Sequence, residues 1–92
     1  MNKLINEKLT DDILRLVKEE RARQDGGWGT QHHSKLYWLG VLMEELGEAA
    51  KNAIESPTAA AFCEELIQVA AVCVAAVEDY VAAIGGFKND GN

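Results

Sequence analysis

The nine residues 69–77 read Val-Ala-Ala-Val-Cys-Val-Ala-Ala-Val, with no charge and no strongly polar group among them. At 100° per residue the run puts apolar side chains on every side of a helix. Such a helix must be buried on more than one face. A chain of 92 residues makes one domain with a small core, and two further helices can hardly cover that surface. The run therefore predicts a homo-oligomer, dimer or tetramer, whose core includes this helix from each subunit.

The rest of the composition agrees with helices. Hydrophobic residues make up 48% of the chain and aromatic residues only 7%, and the single proline is Pro57. No alternating run of β-branched residues extends beyond a few positions, which argues against a sandwich or a barrel. The expected fold class is all-α: an antiparallel helical hairpin plus an N-terminal helix, made into a helical bundle by homo-oligomerisation. Residues 1–92 form a single domain with its core at 10–85 and a tail at 86–92.

Fifteen acidic residues against nine basic ones give a net charge of −6, the wrong sign for binding nucleic acid through its phosphates. No signal-peptide pattern is present in residues 1–9, and the apolar run is far short of the ~20 residues a membrane span needs. A cytoplasmic protein with neither nucleic-acid nor membrane partners is expected. Cys63 and Cys73, ten residues apart on one helix, cannot pair with each other and are expected as packed thiols.

Three helices can be placed by their end signals. Thr10 before Asp11 and Asp12 reads as an N-cap, with a first helix ending near Asp25. Its apolar face is Ile13, Leu14, Leu16 and Val17, and its charged stretch 18–24 is expected to be solvated. Gly26, Gly27 and Gly29 then surround Trp28 in a loop. Ser34 caps a second helix reaching Glu55, before Ser56-Pro57. On it Leu39, Leu42, Leu46, Ala50 and Ala53 form the expected core stripe. A third helix runs from Thr58 to Ile84, ended by Gly85-Gly86 in the left-handed conformation.

The carboxylates carry the chemistry. Glu44, Glu45 and Glu48 lie within one turn of the second helix, and like charges at that spacing repel. Glu45 falls at the edge of the buried face, on the flank shared by Trp38, Val41 and Asn52. Glu65 and Gln68 lie in line with Val72 and Ala76 on the apolar third helix. If the two helices pack antiparallel, Glu45, Glu48, Glu65 and Gln68 converge between them. Hard oxygen donors without His or Cys favour Mg²⁺ or Mn²⁺ over zinc.

The sequence resembles the MazG-like nucleotide pyrophosphohydrolases of the all-α NTP pyrophosphohydrolase superfamily. The family pattern Glu-Glu-x-x-Glu is met by Glu44, Glu45 and Glu48; its partner Glu-x-x-Asp is met by Glu65 alone, with Gln68 in place of Asp. The likeness covers roughly residues 11–84, including Glu19-Glu20-Arg21 and Trp28-Gly29-Thr30-Gln31-His32, which are similar to the small phage and mobile-element members. It implies Mg²⁺-dependent hydrolysis of a nucleoside or deoxynucleoside triphosphate to monophosphate and pyrophosphate. Glu45, Glu48, Glu65 and Gln68 are then the metal set, and Glu44 with Glu45 the catalytic pair, Glu44 ligating or orienting the attacking water. Lys51 is the candidate phosphate contact. Trp28 and Trp38 could stack on the base, and Gln31 and His32 could bond its edge. The alternative is a helical nucleotide-binding or dimerisation module without turnover, which Gln68 favours.

Overall fold

In the computed structural model the described backbone comprises residues 3–28, 32–56 and 58–85, and the side chains of 3–5, 27 and 28 lie outside the described set. Among those residues the chain is helical throughout: α1 (Lys3–Trp28), α2 (Lys35–Glu55) and α3 (Ala59–Ala83). The expected cap at Ser34 is present, and Thr58, expected as the start of the third helix, caps α3. The Ser34 hydroxyl accepts from the Tyr37 N–H and the Thr58 hydroxyl from the Ala61 N–H, each satisfying an amide the helix leaves free. Gly85 follows α3 with φ +82°, a region where a Cβ is unfavourable.

α3 is the spine. α1 and α2 both pack on it, and among the described residues they do not pack on each other. The start of α2 meets the end of α3, where Trp38 bonds Asp79, so the hairpin is antiparallel. α1 runs parallel to α3: Leu16 and Glu20 border Gln68, and Arg21 reaches Glu78. The result is a slab of one helical layer, 45 × 34 × 22 Å. Its core is small, with Trp38, Val72 and Ala75 at the centre and Val41, Leu42, Ala76 and Tyr80 packed around them.

Several expectations are corrected here. α1 begins at Lys3 rather than at Thr10 and continues through Gly26 to Trp28 rather than ending near Asp25. Lys8 and Arg15 pair with Asp12 across one turn, so the proposed cap lies inside a continuous helix. The packed face of α1 is the line Val17, Glu20, Arg21 and Gln24, so of the expected apolar face only Val17 is buried. Gln24 is buried, and Arg21 is largely covered by its bonds to Asp25 and Glu78, whereas Ile13, Leu14 and Leu16 remain exposed. α1 docks on α3 through the buried Val17 and through polar groups, Arg21 reaching Glu78 of α3.

The core stripe of α2 is likewise displaced. Trp38 and Ala49 are buried and Val41, Glu45 and Asn52 half-buried, while Leu39, Leu46, Ala50 and Ala53 are exposed. α3 covers the flank that carries Glu45, and among the described residues no other helix packs on α2. Both cysteines are exposed free thiols rather than packed ones. By length and apolar content α3 meets the minimum for crossing a bilayer, although Glu64 and Glu65 stand near one end and Glu78 and Asp79 near the other.

Candidate metal centre

Glu45 and Glu48 stand one turn apart on α2, and the antiparallel hairpin brings Glu65 of α3 against them. One carboxylate oxygen from each lies within 4.8 Å of the others. Glu45 and Glu65 are half-buried and Glu48 is exposed, so the cluster opens to solvent on one side. No lysine or arginine among the described residues forms an ion pair with any of the three. Burial raises the Glu45 carboxyl above its ordinary range, and the charges of Glu48, Glu65, Glu44 and Glu20 push it further the same way. Three negative groups are thus held together with no ion-pair partner among the described residues, an arrangement that costs stability.

Two oxygens in this neighbourhood lack partners. Glu65 Oε2 and Asn52 Oδ1 are fully covered and have no hydrogen-bond partner. Buried acceptors without partners are rare because each loses its hydration for nothing. Asn52 lies one turn beyond Glu48, and with Lys51, Glu55 and Ser56 these residues line a concavity of about 360 Å³ against Glu65. The donor set is all oxygen, and it fits a hard divalent ion such as Mg²⁺ or Mn²⁺.

Around the cluster, the remaining residues divide. Glu44 is exposed beside Glu45, near enough for its charge to bear on it. Lys51 is exposed on the rim, beside Glu48. Gln68 faces α1, in a concavity of about 390 Å³ shared with Leu16, Glu19, Glu20, Arg23, Glu64 and Ile67. In it Arg23 pairs with Glu20 and draws that carboxyl below its usual range. The charges of both residues bear on Glu45, so α1 contributes to the electrostatic field at the cluster.

Trp38 and His32 belong to a different feature. The Trp38 ring is packed in the core and its Nε1–H donates to Asp79 Oδ2 at 2.6 Å, so no face of it is presented for stacking. Asp79 also accepts from the His33 N–H at 2.9 Å and contacts His32 Nδ1. Tyr80 donates its hydroxyl to the His33 carbonyl at 2.8 Å. Burial pushes the Asp79 carboxyl up, but the bonds from Trp38, His33 and His32 outweigh it and hold the group at about 2. Asp79 stands 14 residues beyond Glu65, about 21 Å along α3. It anchors the segment that leads into α2. His32 is therefore placed four turns of helix away from the carboxylates, next to Arg21, Asp25 and Glu78. The Trp28 side chain and Gln31 lie outside the described residues.

Asp79 is the residue that sequence reasoning missed. Its signal was its spacing, since Glu65, Val72 and Asp79 recur at seven residues and share one face of α3. No protein-family model, curated protein or solved structure matches the chain.

Proposed function

We propose that the chain is a Mg²⁺-dependent nucleoside triphosphate pyrophosphohydrolase acting as a homo-oligomer in the cytoplasm. The observation that carries this reading is the convergence of Glu45, Glu48 and Glu65 from two helices, with no ion pair to any of the three among the described residues. The motif resemblance to MazG-like enzymes supports it. Glu45, Glu48 and Glu65 would hold the cation, with the covered oxygen of Asn52 beside them. Mg²⁺ when bound supplies charge neutralisation at the phosphate oxygens, which lets an acidic protein take an anionic substrate.

The protein groups supply the remaining functions. Glu44, exposed at the rim, accepts a hydrogen bond from the attacking water and aligns it opposite the bond to the β-phosphate. The water oxygen bonds to the α-phosphorus, the bond to the bridging oxygen breaks, and that oxygen leaves with pyrophosphate. The water's proton passes to Glu44 and then to solvent. Lys51 approaches the phosphate chain from the other rim. A second reading, a nucleotide-binding or dimerisation module without turnover, is favoured by Gln68, whose amide brings neither charge nor basicity.

The test is pyrophosphate release from a panel of standard and modified nucleoside triphosphates with Mg²⁺, comparing the wild type with Glu45→Gln. Release that disappears in the variant supports hydrolysis. No release from any nucleotide, or release the variant leaves intact, refutes it.

A further inference from the structure

The uncovered face of α2 has a repeating pattern. Leu36, Leu39, Met43, Leu46, Ala50 and Ala53 recur at alternating spacings of three and four residues, the a and d positions of a seven-residue repeat. Leu36 is 79% exposed, Met43 71% and neighbouring Ile54 84%. None of the six is charged, although the chain carries a net charge of −6. Interface centres are depleted of charge in this way. Gly40 and Gly47 flank the seam, and a Cβ built on either would meet no atom within 4 Å. Their bare backbone lets a second helix approach closely.

The area left over is also that of an interface. A compact monomer of 10.0 kDa exposes about 5,200 Å², whereas this chain exposes 6875 Å². The excess, about 1,600 Å², is a total over the whole chain, to which exposed residues of α1 and α3 also contribute, and it leaves room for the ~800 Å² each partner gives to a stable interface of ordinary size.

We infer that the leucine face of α2 is the dimer seam of this protein, covered by the same face of a second copy running antiparallel. The seam is complementary to itself in that direction. With a two-fold axis between residues 44 and 45, Leu36 of one copy lies opposite Ala53 of the other, Leu39 opposite Ala50, and Met43 opposite Leu46. Large side chains meet small ones at the outer layers, and Gly40 comes beside Gly47 of the other copy. Such an isologous pairing closes at two copies. It lies about 100° around α2 from Glu45, so the candidate cation site stays open in the dimer. The inference rests on exposure and spacing, and it holds or fails independently of the hydrolase reading.

Two variants test it by sedimentation velocity and light scattering. The wild type is expected to run as a dimer at micromolar concentration. Met43→Lys, which puts a charge beside the axis twice, is expected to raise the dimer dissociation constant more than ~100-fold with its helical circular dichroism intact, because an apolar seam cannot neutralise the charge. In a background with Cys63 and Cys73 replaced by Ser, Leu39→Cys with Ala50→Cys is expected to cross-link two copies on mild oxidation. A wild-type monomer at 100 µM overturns the inference. So does a dimer that survives Met43→Lys and fails to cross-link, which would assign the contact to the exposed α3 residues Val74 and Val77.

Discussion

Glu45→Gln separates the cost of the acidic cluster from its use. Two unit charges 4.8 Å apart, the span of the cluster, repel by about 0.9 kcal/mol in water and about 3.5 kcal/mol at an effective dielectric of 20. Glu48 is exposed and Glu65 is only half-buried in a cluster open to solvent on one side, so both pairs lie near the lower figure. Removing the Glu45 charge deletes both pairs and keeps the shape of the side chain. The metal-free variant should then be more stable than the wild type by about 2 kcal/mol at pH 7. For a domain of this size that is roughly 10 °C in Tm. The sign with pH follows from the raised Glu45 carboxyl. A folded-state pKa above the unfolded one means that ionisation destabilises the fold, so the penalty grows as pH rises above about 4.5 and vanishes below it. The advantage of the variant should therefore shrink as pH falls towards 4. Cation binding should reverse the ranking: at 100 times its dissociation constant an ion adds about 2.7 kcal/mol to whichever protein binds it. The assay is thermal unfolding by circular dichroism in EDTA and in millimolar Mg²⁺ or Mn²⁺. A variant that melts at or below the wild type in EDTA, or a wild type indifferent to both ions, would refute the reasoning.

Gln68→Asp restores the charge that the family pattern carries, and it should lower the Mg²⁺ concentration needed for pyrophosphate release; unchanged metal dependence would place residue 68 outside the reach of the ion. Trp38→Phe keeps a ring in the core but removes the donor to Asp79, and it should cost about 1.5–3 kcal/mol by denaturant titration, as for other hydrogen bonds to a charged group. Acid should act at the same anchor. With the Asp79 carboxyl held at about 2 against an ordinary 3.8, the stability it confers is complete above about pH 4 and is lost as pH falls towards 2, read as the loss of near-ultraviolet circular dichroism from Trp38. A flat signal from pH 5 to 2 would refute the assignment.

How much of this was legible in the sequence depends on which force decided each feature. The caps at Ser34 and Thr58 and the stop at Gly85 are local, fixed by hydrogen bonds within a turn or by a single backbone angle, and the chain spells them out. The meeting of Glu45, Glu48 and Glu65 was legible too, because helical spacing and one short connection leave few alternatives. The packed face of α2 was not. Its most apolar stripe and its buried stripe differ by about 100°, and periodicity reports apolar character without saying which partner covers it. Expecting one chain to bury its own leucines turned the helix to the wrong face. The same error hid part of the α1 contact, where Arg21 bonds Glu78 across the helices and Gln24 is buried, side chains that hydropathy reads as solvated surface.

Because among the described residues α1 and α2 pack on α3 but not on each other, the two sides of the spine can change separately. Substitutions along the inner edge of α1, at Leu16, Glu19, Glu20 or Arg23, reshape the hollow beside Gln68 while leaving the hairpin that gathers the three carboxylates untouched. A chain built this way can diversify what it admits by varying one helix and conserve its chemistry on the other two. Hydrogen exchange should register the division as two protection classes, with α1 opening ahead of the α2–α3 pair.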